Sequence, residues 1–541
     1  MRNLFYFFCF SALLFGVFAY QYYPPLLWIE AALIPIIALG LFDVFQMKHS
    51  IRRNFPVIGH FRYLLENIRP EINQYFIESN SDGVPFSREL RSIVYQRSKL
   101  ELDTLPFGTQ MDVYKEGYEW TCHSLMPKHI DPESLRVTFG GEACKQPYSA
   151  SIFNVSAMSY GSLSTNAVLA LNGGAKMGNF AHNTGEGGLS PYHLQPGGDI
   201  IWQIGTAYFG CRDKAGNFSP EHFKEKSQLP QVKMIEVKLS QGAKPGHGGI
   251  LPAAKLTPEI AQIRGVAMGM DVISPPAHSA FSTPIEMMEF ISELRELSGG
   301  KPVGFKLCLG KKREFMAIAK AMVKTGIYPD FITLDGGEGG TGAAPIEFSN
   351  FVGFPMRDGL TYVHNVLVGF DIRKKMRIIA SGKTVNGFDL LTKFALGADT
   401  CNAARAMMMA LGCIQALRCN TNQCPTGVAT QNPVLVKGLN VTDKARRVAN
   451  FHKETIKSVA ELIGAMGLSR PSDVLPRHLF RRISNSEIKN LSELYPFIDA
   501  GTLLGRDIPE EYANAFKYSS AESFSHSPVE IAENIPYLKE A

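Results

Sequence analysis

Charge is scarce in this chain: Asp, Glu, Lys and Arg make up 19% of 541 residues, the net charge is only +5, and Lys and Arg form no block. Without a basic patch there is no electrostatic footprint for nucleic acid, so DNA and RNA are not expected partners. Disulfides are not expected either, because the nine cysteines are an odd number scattered along a long chain. No segment repeats at a period of 20–50 residues, which excludes solenoids and propellers. No G-x-G-x-x-G follows the first strand-like run, and no NAD(P)H-binding motif is evident. Paired C-x2-C knuckles of the zinc type are also missing.

What the chain does have begins with apolar length. Residues Leu4 to Tyr23 contain no charge, and Leu26 to Met47 contain only Glu30 and Asp43. About 20 apolar residues span a bilayer, so each run is long enough. Pro24-Pro25 would make the turn, and Lys48, Arg52 and Arg53 follow the second run while the turn has no basic residue. By the positive-inside bias, residues 1–50 read as a transmembrane helical hairpin in the cell membrane, with everything after residue 50 in the cytoplasm. The alternatives are a single anchor, because Glu30 and Pro35 weaken the second run, and a cleaved signal, for which no small-residue site stands out.

Residues 51–145 mix short helical patterns, such as the amphipathic "FPVIGHFRYLLENIRPEINQYF", with turns, and read as an N-terminal segment packing on the next domain. From about 146 to 435, nine short apolar runs alternate with Gly-rich turns and helical stretches, the pattern of βαβ units and a parallel sheet. A closed (β/α)8 barrel needs eight strands, so "DVISP" or "IIWQIG" should be a loop or an edge segment. The fold class expected is α/β, a TIM barrel; an open doubly wound sheet is the alternative. Residues 436–541 read as a helical C-terminal extension.

Small and polar residues end many of the strand-like runs, where a barrel places its catalytic loops. "DGGEGGTGAAP", "SGKT" and "NAARAM" close three successive runs and leave backbone N–H groups free for an anion, which suggests a phosphorylated cofactor. "VSAMSYGSLS" and "NTGEGG" supply small residues where a flat ring fits, and Lys306 would aim a cation at it. Cys413, Cys419 and Cys424 stand in C-x5-C-x4-C spacing before Pro425 and Gly427. Thiolates suit zinc or iron–sulfur clusters. The uneven gaps fit a cluster with an unliganded corner, or three incidental cysteines.

Residues 150–435 closely resemble the FMN-binding synthase domain of glutamate synthases. The resemblance rests on "SAMSYGSLS", "NTGEGG", "QGAKPGHGGILP", "ISPPAHS", "DGGEGGTGAAP" and "CNTNQCPTGVATQ", in the family's order. "FPVIGHFRYLLENIRPEINQYF" and "PFSRELRSIVYQRSK" are similar to the stand-alone, FMN-binding glutamate synthase-like branch. The resemblance implies FMN and a 3Fe-4S cluster on Cys413, Cys419 and Cys424. It implies Ala157, Met158 and Ser159 along the flavin, Lys306 beside the ring, and Gly336, Gly337, Gly382, Lys383, Ala404 and Arg405 in the phosphate-side loops. Glu186 and Lys244 fall where the family holds 2-oxoglutarate, so Glu186, Lys244 and Lys306 are the expected catalytic residues. The implied reaction is reduction of the imine formed from a 2-oxo acid and an amine, with electrons from a ferredoxin or a separate reductase subunit.

Two departures bear on the substrate. Tyr208, in "TAYFG", stands where the family has an arginine, and His247, in "KPGHGG", stands where it has a glutamate. Both are expected near the substrate and suggest an alternative, an N-alkylglutamate synthase. His182 and His278 read as structural. No counterpart of the family's glutaminase domain, with its N-terminal cysteine nucleophile, is expected here, since Cys9 lies inside an apolar run, so the amine is expected from a partner or from solution. A membrane electron-transfer module without catalysis is the reading from another class; the intact "NTGEGG" and "QGAKPG" weigh against it.

Overall fold

The computed structural model describes residues 1–101 and 103–525. It divides into two units, Met1–Arg88 and Glu89–Ala541, so the expected 51–145 segment is shared between them. The last part of the expected C-terminal extension, residues 526–541, lies outside the described residues.

In the first unit, α1 (Arg2–Tyr22) and α2 (Leu27–Phe45) are joined by a single turn at Pro24–Leu26, where proline supplies a fixed φ and needs no N–H partner. Both helices are long and apolar enough to cross a membrane. Their seam is tight: a Cβ on Gly16 would lie 2.9 Å from Glu30 Oε1, and one on Gly40 would overlap the Phe5 ring. A further long helix, α3 (Gly59–Ile72), follows after an elbow that includes a short helical segment at Ser50–Asn54.

In the second unit, eight parallel strands close a barrel: β1 Phe153–Val155, β2 His182–Asn183, β3 Ile200–Ile204, β4 Val232–Lys238, β5 Val303–Leu307, β6 Phe331–Asp335, β7 Arg377–Ser381 and β8 Thr400–Ala403. The ring shuts where Cys401, Asn402 and Ala403 of β8 pair with Phe153, Asn154 and Val155 of β1. The strands are almost wholly buried, as parallel strands covered by helices must be. The surplus run is "DVISP": Val272–Ile273 pairs antiparallel with Ile250–Leu251 outside the barrel, and "IIWQIG" is β3. The fold is thus the closed barrel and not the open sheet.

Outer helices α4 (Thr165–Gly178), α5 (Pro220–Ser227), α6 (Pro284–Leu297), α7 (Lys312–Thr325), α8 (Met356–Gly369), α9 (Gly387–Ala395) and the short α10 (Arg405–Ala410) surround it. Polar residues at strand ends double as helix caps. Ser164 accepts from the Ala167 N–H, and Thr283 with Glu286 and Asn386 with Asp389 form reciprocal capping boxes. Helix α11 (Val441–Ala465) then lies against both α9 and α4: a Cβ on Gly387 would meet Ser458 Oγ at 2.7 Å, and one on Gly174 would meet Val448 at 2.7 Å. It fills the slot of an eighth outer helix, so the barrel architecture continues past residue 435.

A hairpin of Arg136–Phe139 and Tyr148–Ser151 closes the end where the strands begin. Its Phe139, Tyr148 and Ala150 form one core with Ile201, Met234, Phe331 and Ile379. With that end sealed, the open mouth is at the strands' C-terminal ends.

Candidate active site

Strand β4 shows how the barrel builds charge into its interior. In Met234-Ile235-Glu236-Val237-Lys238, alternate residues point the same way, so Glu236 and Lys238 share the face of Met234, a member of the interior core. Glu236 is completely buried and accepts from Asn183 Nδ2 at 2.8 Å, from Gln203 Nε2 at 2.6 Å and from the Thr333 hydroxyl. A carboxylate is tolerated there only because every donor around it is aimed at it.

Nearer the mouth are two ion pairs. Lys306 Nζ on β5 lies 3.3 Å from Asp335 Oδ2 at the end of β6. Burial works against the Lys306 ammonium, but Asp335 and then Glu236 outweigh it and hold its pKa above the ordinary lysine value. Lys238 Nζ lies 2.8 Å from Glu186 Oε1 and 2.7 Å from Gln241 Oε1. Burial raises the Glu186 pKa, but Lys238, then Lys244 and Arg264, prevail and bring it below the usual carboxylate range. Glycines make room for this carboxylate: a Cβ at Gly249 would lie 2.1 Å from its Oε1, and one at Gly205 2.7 Å from its Oε2.

Lys244 is 3% exposed and donates to the Ala343 carbonyl at 2.9 Å. Its pKa is lowered to about 8, by burial first and by repulsion from Lys238 second, while Glu186 opposes the fall. Burial likewise lowers Arg264 to about 10, against the pull of Glu186; its Nη2 donates to the Tyr160 carbonyl at 3.2 Å. Three cations, Lys238, Lys244 and Arg264, are therefore gathered around one carboxylate, a net positive cluster suited to carboxylates.

The loops beneath are interlocked. Gly242 approaches Gly336 so closely that any side chain would overlap the Gly336 carbonyl, and the Gly242 N–H donates to Asp335 Oδ2 at 2.9 Å. Gly185, at φ +65°, brings the β2 loop onto the β1 loop, where a Cβ would lie 2.7 Å from the Ser159 N atom. Ala157, Met158 and Ser159 thus border the Glu186 loop. On the other side of the mouth, Gly336 and Gly337 follow β6, Gly382 and Lys383 follow β7, and Ala404 and Arg405 follow β8. The Gly336 N–H donates to the Ser381 carbonyl, Arg405 Nη2 donates to the Glu338 carbonyl at 2.6 Å, and the Glu338 carboxylate takes the Met356 N–H at the start of α8. The pKa of the Lys383 ammonium is held below the ordinary lysine value by desolvation first and by repulsion from Arg405 second, with Glu338 opposing. Buried Asn402 has neither side-chain atom satisfied within the protein, an opening for a ligand's polar edge.

Tyr208 is fully buried, with its ring against His278. Its hydroxyl accepts the N–H groups of Ser279 and Ala280 at 3.1 and 3.0 Å and lies 3.0 Å from His278 Nδ1. His278 Nε2 faces the Lys238 carbonyl at 2.9 Å, so Nε2 carries the hydrogen and Nδ1 accepts from the tyrosine. Burial lowers the His278 pKa to about 4 and keeps the ring neutral. His247 is half-buried, its ring edge-on to Phe348 with Nδ1 2.9 Å from the Gly248 carbonyl, and its backbone N–H donates to the Lys244 carbonyl at 3.2 Å. His182 is buried against His193.

Cys413, Cys419 and Cys424 lie in the loop after α10; burial first, and the neighbouring thiols after it, bring Cys413 to about 12, and burial and then Cys424 raise Cys419. Cys424 runs the other way. Although burial opposes it, its Thr426 partner and the N–H groups of Ala429, Thr426 and Val428 favour the thiolate. Among the described residues, no three His, Cys, Asp or Glu side chains converge as ligands of a single metal ion; a cluster spreads its ligands more widely. Buried Lys255 donates to the Ser162 carbonyl at 2.7 Å and sits close enough to Cys419 and Cys424 for both thiolates to favour its charge, against a burial that lowers it to about 8. The same loop is pinned by Gln431 Nε2 to the Gly161 and Leu163 carbonyls and by Ser164 Oγ to the Gly427 carbonyl. Lys238, Gln241, Arg264, Glu236, Asp335 and Lys255 were not singled out from the sequence; the alternation in β4 is the signal that would have found the first and fourth.

Residues 109–469 match the conserved region in glutamate synthase. A relative from Bacillus subtilis, "Glutamate synthase large subunit-like protein YerD", is 39% identical over 506 residues, covering 85% of this chain and 96% of its own. The archaeal glutamate synthase [NADPH] of Methanocaldococcus jannaschii is 37% identical over 314 residues, 58% of each chain. Among solved structures a mandelate oxidase superposes loosely, at TM-score 0.40 and 14% identity over 79% of this chain and 97% of that one. With well over half of its length inside the conserved region, and with a relative matched nearly end to end, the chain belongs to the glutamate synthase family.

Proposed function

We propose that this protein is a membrane-anchored oxidoreductase that reduces the imine of a 2-oxo acid, 2-oxoglutarate in the first instance, and ammonia or another amine. FMN at the barrel mouth would supply hydride, and a 3Fe-4S cluster on Cys413, Cys419 and Cys424 would supply single electrons. The observation that supports this most strongly is the Glu186–Lys238 pair with Lys244 and Arg264 around it. A 2-oxo diacid is a dianion, and the three cations offer it carboxylate partners. Glu186, ionised, remains to orient the amine and to accept its proton. Lys306, held charged by Asp335 and Glu236, favours negative charge on the ring beside it. The glycine loops around Gly336 and Gly382, with Arg405 and Lys383, suit a phosphate, and Ala157, Met158 and Ser159 suit the ring's edge.

The N–H nest at Cys424 and the buried ammonium of Lys255 favour thiolate ligands, so the donor set is compatible with a three-cysteine cluster. Electrons would come from a ferredoxin or a separate reductase subunit. The α1–α2 hairpin would hold the catalytic unit on the cytoplasmic face. His247, beside the Lys244 loop and with its ring partly exposed, favours a second reading in which the amine is larger than ammonia, as in an N-alkylglutamate synthase.

An anaerobic visible and electron-spin-resonance titration tests the proposal. A reduced flavin should be reoxidised by 2-oxoglutarate plus ammonia, or faster by 2-oxoglutarate plus methylamine under the second reading. A reduced flavin that no pair of oxo acid and amine reoxidises would end both.

A further inference from the structure

Helix α3 carries an apolar face that nothing in its own unit covers. Phe61, Leu64, Leu65, Ile68 and Ile72 recur at helical spacing on one side, and all are exposed, Phe61 by 61%. Phe76, 84% exposed, extends the stripe into the following turn. Arg62 and Arg69 border the stripe, and Arg62 pairs with Glu66 on the polar side at 3.3 Å.

The opposite face is the one held by the protein. Tyr63 lies under the Arg52 guanidinium at 4.5 Å and edge-on to His49. At the elbow, Asp43 near the end of α2, completely buried, accepts from His60 Nε2 at 2.8 Å and from the Val57 N–H at 2.9 Å. Gly59 packs on Arg52 so closely that a Cβ would lie 2.9 Å from the Arg52 Cα. The exit of the chain from α2 into α3 is therefore fixed, and the apolar stripe faces outward in a set direction, a few residues from the end of a helix long enough to span a bilayer.

We propose that α3 is an interfacial helix, lying in the headgroup region of the membrane that holds the hairpin, with its stripe among the acyl chains and Lys48, Arg52, Arg53, Arg62 and Arg69 on anionic headgroups. Between Gln46 and Ile77 these five cations face only Glu66 and Glu71, an excess that matches an anionic leaflet. The inference rests on the hairpin reading. It adds a second, lipid-sensitive contact, which would fix the orientation of the membrane unit as well as its attachment.

The full-length protein, reconstituted in phosphatidylcholine–phosphatidylglycerol vesicles containing a bilayer-confined photoactivatable diazirine lipid, tests this by peptide mass mapping. Labels are expected within residues 2–45 and on Phe61, Leu65, Ile68 and Phe76, with Asn67 and Asn73 unlabelled. In vesicles of phosphatidylcholine alone, or with Arg62→Glu/Arg69→Glu, labelling of α3 should fall at least threefold while that of residues 2–45 stays constant. Labels confined to residues 2–45 would overturn the proposal and leave the hairpin intact. Protection of α3 together with crosslinks between two copies would overturn it in favour of a dimer contact. Labels on α3 but none within 2–45 would remove the hairpin and overturn the inference as stated, leaving a surface helix alone, and labels on neither segment would remove both.

Discussion

Lys244 loses its proton within the pH range of an ordinary assay, because burial and the neighbouring Lys238 bring it to about 8. A ligand carboxylate prefers the ammonium form, so under the proposed function affinity for the oxo acid should be full below that pH and decline as pH rises through it. The dissociation constant for 2-oxoglutarate, followed by flavin absorbance without amine, should rise about tenfold between pH 7 and pH 9. Lys244→Met should bind weakly at both pH values and flatten the curve. Tyr208 allows a different prediction. Its hydroxyl satisfies two buried N–H groups and the His278 ring, so Tyr208→Phe leaves those partners stranded and should cost about 3 kcal/mol, seen as a lower Tm and a lower denaturant midpoint. The motif around Tyr208 points to the substrate because an arginine is usual there. Its actual partners are some seventy residues further on, and no local pattern carries that pairing. Glu186 and Lys244 were legible because loop motifs carried them; Arg264, on a helix, had only its fold to reveal it.

At the scale of elements, apolar runs and turn residues told strands from helices but could not choose among short runs of similar composition. "DVISP" and "IIWQIG" are both apolar and both bounded by turn chemistry; what separates them is the partner, an antiparallel two-residue ladder in one case and two parallel barrel neighbours in the other. Likewise the apolar stripe of α11 announced a helix but not its slot between α9 and α4. That slot depends on Gly173 and Gly174, which give α4 a bare surface for Ala445 and Val448. Replacing Gly174 by Ala improves helix propensity by roughly 1 kcal/mol. The new methyl, however, would sit 2.7 Å from Val448 and 2.8 Å from the Ala445 carbonyl, and overpacking of that kind costs about 1–3 kcal/mol. Gly174→Ala should therefore leave stability level or lower it by up to about 2 kcal/mol, and Gly174→Val should lower it further; a rise in Tm for either would show that α11 can move away.

At the scale of the whole molecule, the cysteine loop joins parts of the chain that are far apart in sequence. Gln431 and Ser164 tie it to the β1 loop, Asn422 donates to the Ala254 carbonyl, and the Gln431 N–H and the Thr430 hydroxyl both donate to Asn422 Oδ1. This differs from small metal domains, in which the ligands have little other structure and the fold fails when the metal is removed. Here the loop has hydrogen bonds of its own, independent of any thiol. Cys424→Ser should therefore abolish iron and inorganic sulfide in anaerobically purified protein while the flavin absorbance remains and Tm falls by no more than a few degrees. Loss of the flavin along with the iron would mean that the β1 loop takes its shape from the cluster, and undiminished iron would mean that Cys424 is not a ligand. The first outcome would make the cluster an electron-carrying addition to a self-sufficient barrel; the second would make it part of the frame that holds the ring.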